Sequence, residues 1–252
     1  MAEIPVGLQL YSVRDQLRED FKGTVRAVAR MGYAGVELAG YGGMNASDLH
    51  SFLESLSLKV AGDHVSLDRL EHQLDEVITF SKEVGIPNVV CPSVPAGRRQ
   101  DAAGWQQLAG TLNEIGRKCV DQGLSFCYHN HNFEFAPAGD SNGFTLLYAN
   151  SDPRYVKMEL DMFWAQKGGD NPAGILQRYP GRCPIVHLKD MTGDDEQTFA
   201  EVGEGVLNFQ QVFQAAATGG VTWYVVEQDR CKRPPLESVQ LSLQHLREWG
   251  MA

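Results

Sequence analysis

The sequence predicts an α/β protein folded as a single closed (β/α)8 barrel spanning residues 1–252. Three observations predict it. Eight short β-rich runs alternate with segments of helical period. Glycines fall just after the helical segments. The 252-residue length suits a barrel that uses about 250 residues in one domain.

The β-rich runs are VGLQLYS (6–12), GVEL (35–38), KVAGDH (59–64), NVVC (88–91), LSFCYHN (124–130), VKMELD (156–161), PIVHLK (184–189) and WYVVEQ (223–228). Between them, Trp105, Leu108, Leu112, Ile115 and Cys119 recur at steps of three and four. Leu236, Val239, Leu243 and Leu246 do the same. That period makes one apolar stripe to lay on a sheet. Gly32, Gly85, Gly123 and Gly219 stand where a left-handed helix cap is wanted. Strands separated by helices pair in parallel through crossovers. An open doubly wound sheet is the runner-up, weakened because no GxGxxG or P-loop follows the first strand. No Pro/Ser linker or low-complexity stretch divides the chain, so one domain is the simplest reading.

Charge narrows the function classes. The net charge of −10 and pI near 5.1 oppose phosphate backbones and anionic lipid. AGRRQ (96–100) and DRCKRPP (229–235) are the only basic clusters, and both read as solvated loops. No nucleic-acid or membrane partner is expected. Cys91, Cys119, Cys127, Cys183 and Cys231 show no CxxC spacing, which reads as a reduced, intracellular chain. The N-terminal stretch has no basic or long apolar segment, so a cytoplasmic location is expected.

Chemistry in such a barrel sits at the C-terminal ends of the strands. There the sequence places Gln9 and Tyr11, Glu37, His64, Cys91, then His129, His131 and Glu134, then Glu159 and Asp161, His187, Lys189 and Asp190, and finally Glu227 and Asp229. Buried ionisable groups are costly unless paired or bound, and converging carboxylates repel one another. A divalent cation held by carboxylates and imidazoles resolves both problems. Taken singly, each residue has a plainer explanation: a hydrogen-bonded core histidine, a salt-bridged glutamate, a loop carboxylate. Alternation puts Glu159 with Asp161 on one face, His187 with Lys189 on one face, and Val225 with Glu227 on one face, with Gln228 turned away. Glu159 and Lys189 are then placed to pair.

The motifs GLQLYSVRD, GYAGVEL, HNHNFEF, ELDMFW, VHLKD, VGEGVLNF and VVEQD together resemble the xylose isomerase-like TIM barrels of the sugar phosphate isomerase/epimerase superfamily. The resemblance covers nearly the whole chain. It implies a divalent metal, manganese first, with Mg, Co, Fe or Zn compatible. It implies ligands at Asp161, His187 and Glu227. Epimerases of the superfamily carry a fourth ligand, a glutamate, inside strand five, where this chain has Tyr128 or His129. Glu134 is the nearest carboxylate and the expected fourth ligand, with His131 and His129 as rivals.

The implied reaction is isomerisation or epimerisation of a sugar or keto-sugar. A proton beside a carbonyl is removed and a metal-stabilised enediolate forms. Glu227 is the expected base, with His129, His131 and Lys189 as further catalytic groups. His64, Glu37, Trp164 and Glu159 are expected to hold substrate. Loss of a β-oxygen would instead make a lyase or dehydratase acting on 3-keto-glycosides or inososes. A non-catalytic sugar-binding barrel is a second alternative. An endonuclease IV-like nuclease shares the fold, but −10 charge and few spare histidines oppose it. A homo-oligomer is compatible with the sequence. FAEVGEGVLNF (199–209) reads equally as a loop over the mouth and as a turn before a helix.

Overall fold

A computed structural model describes residues 4–252. Eight parallel strands close into a barrel: β1 Val6–Gln9, β2 Gly35–Leu38, β3 Lys59–His64, β4 Asn88–Cys91, β5 Ser125–His129, β6 Lys157–Asp161, β7 Ile185–Leu188 and β8 Trp223–Val226. Each strand pairs with its neighbours in sequence, and β8 closes on β1. β2, β3 and β4 have the bounds that the sequence predicts. The other five are shorter: β1 and β8 lose residues at the C-terminal end, where polar residues leave the ladder for the βα loops, β6 loses one at its start, and β5 and β7 lose one at each end. β1 is the clearest case. Its expected end, residues 10–12, lies in a 3-10 turn, Leu10–Val13, in which the Gln9 side chain accepts the Tyr11 N–H.

The expected helices form as Ala102–Asp121 and Pro235–Glu248. Trp105, Leu108, Leu112, Ile115 and Cys119 all face the barrel. Gly32 and Gly85 cap their helices with left-handed φ. One expectation moves by a residue: Gly219 ends its helix and Gly220, at φ 79°, is the cap.

Two apolar layers hold the barrel. Outward strand residues such as Phe126, Tyr128 and Leu160 join the helices in the main core. Inside the barrel, Ala61, Val90, Cys127, Ile185, Trp223 and Val225 form a separate plug. Trp223 fills the N-terminal end because Gly35 has no side chain; a Cβ there would lie 2.8 Å from the indole and 2.5 Å from the Lys59 carbonyl. This plug closes the lower half of the barrel, so ionisable groups collect only in the upper half. Among the described residues, no helix is long and apolar enough to cross a membrane.

Candidate metal centre

Strand alternation carries one polar layer above the plug. Cys127 points inward, so His129 does too. Ile185 points inward, so His187 and Lys189 follow. β6 pairs Glu159 with Ile185 and Asp161 with His187, which places Glu159 one layer below Asp161. Gly62 makes room for Glu37: a Cβ at Gly62 would lie 2.6 Å from Glu37 Oε1.

The deep layer is a cage of imidazoles around two glutamates. Glu159 Oε2 lies 2.7 Å from His64 Nε2, 2.9 Å from His129 Nδ1 and 3.3 Å from His187 Nε2. Glu37 Oε2 lies 2.6 Å from His187 Nε2 and accepts from Gln9 Nε2 at 2.9 Å. The upper layer holds Asp161 and Glu227. Glu227 Oε2 is 2.8 Å from His187 Nδ1 and 2.8 Å from Lys189 Nζ. Lys189 also reaches Asp161 Oδ2 at 2.8 Å and hydrogen-bonds Asp229. His129 turns Nε2 toward Asp161 Oδ2, 3.9 Å away.

His129 and His187 therefore each stand between two carboxylate layers. Metal-binding histidines commonly present one nitrogen to the ion and donate the other N–H to a carboxylate, which fixes the ring. Glu159 and Glu37 fit that outer role. His129, Asp161, His187 and Glu227 each offer a donor atom, and these four lie within 4.8 Å of one another. A second overlapping set, His64, His129, Glu159 and His187, meets the same test. The first leaves each of its two imidazoles a close outer carboxylate; in the second, which has three imidazoles, His129 would keep only Asp161, 3.9 Å away.

Asp161 supports this choice. Its Oδ1 caps the next helix by accepting the Trp164 N–H at 2.9 Å. Its Oδ2 is buried, ion-paired with Lys189 Nζ at 2.8 Å and 3.9 Å from His129 Nε2. A buried carboxylate oxygen that already attracts positive charge and faces an imidazole suits a cation. The mixed O/N donor set suits Mn, Fe, Co or Zn.

The charges are strongly displaced. Burial would raise Glu159, but His187 and His64 outweigh it and hold the carboxyl well below its usual range. Burial would raise Glu227 too, but Lys189 and His187 hold it down. Burial would lower His187, yet Glu159, Glu37 and Glu227 keep it protonated well above 6.5. Burial and Glu159 push Glu37 up to about 7. Burial pushes Asp161 up to about 6 against Lys189 and His187. Since ligands must be deprotonated to bind a metal, a cation must displace both the His187 proton, held well above 6.5, and the Asp161 proton, lost at about 6; affinity should therefore climb across the whole range from pH 5 to 8. Calorimetric titration with Mn2+ from pH 5 to 8 checks this; a flat affinity would remove both residues from the ligand set.

The motif HNHNFEF divides its labour. Asn130 clamps the Asp161 backbone from both sides, its amide donating to Asp161 O at 3.2 Å and its Oδ1 accepting from Asp161 N at 3.0 Å. This extends the β5–β6 ladder past the last strand pair and was invisible in sequence periodicity. His131 stacks on Phe133 at 5.4 Å and faces Trp164 at 5.7 Å, and Arg99 lies over the far face of Phe133. The arginine of AGRRQ is thus part of a stack beside the site. Burial and then Lys189 push His131 down to about 4.

Glu134 stands apart from the ligand sets. Its Oε1 accepts from Tyr128 OH at 2.6 Å and its Oε2 from the His131 N–H at 2.8 Å. Tyr128 points outward, into the layer between barrel and helices. The structure therefore brings His129 to the centre where Glu134 was expected as fourth ligand. Glu134→Gln should keep its bound ion but lose about 1–3 kcal/mol of stability, the cost of a mismatched buried hydrogen bond. Metal stoichiometry beside urea unfolding checks it; loss of the ion would restore Glu134 to the ligand set.

Alternation led to the expectation that Glu159 and Lys189 pair, and they do not. Lys189 sits a layer higher, among Asp161, Glu227 and Asp229. Gln228 does turn away, donating to the Ala200 carbonyl. Two residues that sequence reasoning left without a role, Asp190 and Asp229, are tied into the rim. Asp190 accepts N–H groups of Gly203, Gly205 and Leu207 and pins the 199–209 loop. Phe199 of that loop packs on Phe163 and Trp164.

Residues 25–249 match the model of the xylose isomerase-like TIM barrel. The chain belongs to this family. The family chain is similar to an inosose dehydratase of Clostridium beijerinckii, 27% identical over 163 residues, 57% of this chain and 54% of that protein. It spans about half the length of the curated relatives it matches. It superposes on a sugar phosphate isomerase/epimerase of Parabacteroides distasonis with a TM-score of 0.85 and 24% identity, covering 96% of this chain and 97% of that one. It also superposes on IOLI protein with a bound zinc atom, with a TM-score of 0.76 and 14% identity over 97% of each chain.

Proposed function

We propose that this chain is a divalent-metal-dependent enzyme that moves a proton beside the carbonyl of a sugar, keto-sugar or inosose. The observation that carries the reading is the convergence of His129, Asp161, His187 and Glu227 from four consecutive strands, with Glu159 and Glu37 steadying the imidazoles. The zinc held by a protein of the same fold agrees with a cation here. Manganese remains the first choice, with Zn, Fe, Co and Mg compatible with the donors.

When bound, the cation polarises the substrate carbonyl and so acidifies the neighbouring C–H. The residues supply the rest. Glu227 is the base next to the centre, and Lys189 and His187 keep it ionised. His131, neutral at pH 7 with a buried Nδ1 that has no hydrogen-bond partner among the described residues, is placed to accept or return a proton on the β5 side. Lys189 keeps positive charge beside the reacting oxygen, where negative charge develops. His64 holds a hydroxyl at the rim of the deep layer, and Trp164 covers the apolar face of the sugar ring.

Returning the proton to carbon gives isomerisation or epimerisation. Expelling a β-hydroxyl gives dehydration, and the similarity to inosose dehydratases favours that second outcome. Both outcomes share the first step. The test is incubation of the Mn-loaded protein with keto-sugars and inososes in D2O, followed by NMR. Deuterium entering beside the carbonyl supports the reading; loss of water or inversion then separates the two outcomes. No exchange with any metal or substrate would sink it.

A further inference from the structure

A cavity lies between the loops that follow β1 and β2. It measures about 520 Å3 and is lined by Tyr11, Phe21, Tyr41, Arg14 and Arg18, among others. β1 and β2 lie across the barrel from β5 and β6. His131 and Trp164 therefore wall one side of the centre and this cleft opens on the other.

Three contacts tie the cleft to the site. Gln9 holds the Tyr11 amide with Oε1 and Glu37 with Nε2. Arg14 Nη2 donates to the Asp229 carbonyl, and the Asp229 carboxylate hydrogen-bonds Lys189. Tyr41 OH donates to Asp63, the residue before His64. These contacts couple the lining of the cleft to groups of the centre.

The lining differs from the rest of this acidic chain. Among the described residues that line it, none is acidic and two are arginines. Arg14 stacks over Tyr11 at 4.2 Å, and both its terminal nitrogens are fixed on backbone carbonyls. Arg18 is exposed and, among the described residues, pairs only with the surface carboxylate of Asp15 at 3.0 Å, a pair weak enough to exchange. Tyr11 is 44% exposed, large for an aromatic ring beside a site. Flat aromatic faces select planar groups, and guanidinium selects carboxylate or phosphate.

We propose that this cleft is a subsite for a planar, anionic group at the far end of the substrate, such as an aromatic acid joined to the sugar. The sugar end of that substrate rests on the metal-centred reading above; the cleft names the other end.

The probe is benzoate, followed by ligand-observed NMR on the wild-type protein before and after treatment with EDTA. Binding should persist in EDTA, so the subsite stands or falls apart from the metal. Arg18→Ala should weaken benzoate about tenfold, as expected for one charge-assisted contact. Arg18→Lys should recover part of the loss, and Tyr11→Ala should weaken binding comparably, each variant having an unchanged thermal midpoint. Benzyl alcohol and inorganic phosphate should both bind less tightly than benzoate. Loss of benzoate binding in EDTA would overturn the proposal, as would binding unchanged in both Ala variants. Benzyl alcohol matching benzoate would remove the anion, and phosphate matching it would remove the planar group; either result overturns the assignment.

Discussion

His187→Ala should lose its bound divalent ion and nearly all turnover. The wild type is expected to hold about one ion per chain, as a single four-ligand centre does. The ring sits at the middle of the site, with Nδ1 2.8 Å from Glu227 and Nε2 2.6 Å from Glu37. Removing it takes away one donor and the bridge between the two carboxylate layers. Activity should fall about a thousandfold or more, since a Lewis acid contributes several kcal/mol to such a barrier. Glu37, Glu159 and Glu227 would also be left buried without their shared cationic partner. Stability in EDTA should fall by about 3–5 kcal/mol, the usual cost of breaking one side of a buried ion pair. Elemental analysis by mass spectrometry, beside Asp161→Ala and urea unfolding, reads both effects. A His187→Ala chain that keeps its ion would place the centre elsewhere.

Lys189→Met should destabilise the metal-free protein most, and a divalent cation should reverse much of the loss. Lys189 is fully buried and compensates Asp161, Glu227 and Asp229. Burial would lower its pKa, but those three carboxylates hold it well above 10.5, so it stays charged. Methionine fills similar volume and removes the charge, leaving Asp161 and Glu227 to repel. A loss of about 3–5 kcal/mol is expected in EDTA. A bound cation supplies positive charge at the same carboxylates. The rise in melting temperature on adding Mn2+ should therefore be larger in Lys189→Met than in the wild type. An equal or smaller rise would mean that Lys189 does not share its carboxylates with a metal.

Much of this was legible in the chain because barrel strands obey a simple period. Alternation by two put Glu159 with Asp161 and His187 with Lys189 on inward faces, and each points inward. The end of each apolar run marked the rim, so Glu37, His64 and Glu227 were found as strand-end groups. Periodicity does not set height, however. Glu159 and Lys189 looked like partners, yet register puts them in different layers, with Glu159 opposite Ile185 and Asp161 opposite His187.

The HNHNFEF segment shows where local reading stops. Nothing in its spacing reveals that the chain leaves the strand at His129 and turns through a 3-10 segment, Phe133–Phe135. That turn points Glu134 back at Tyr128, outside the barrel, and leaves His129 as the inward donor. A carboxylate and an imidazole five residues apart are equal candidates by chemistry, and only backbone direction separates them.

The sequence by itself determined the barrel and the rim that carries the chemistry, because those follow from hydrophobic period and from where it stops; the family resemblance implied Asp161, His187 and Glu227 as ligands. Tertiary structure decided that His129, not Glu134, stands beside Asp161, His187 and Glu227, that Glu37 and Glu159 lie against the imidazoles, and where the arginine-lined cleft opens. Each depends on side chains from strands far apart in the chain meeting across the barrel, as His187 does with Glu37, 150 residues away. No local pattern encodes such distances; closure of the sheet sets them.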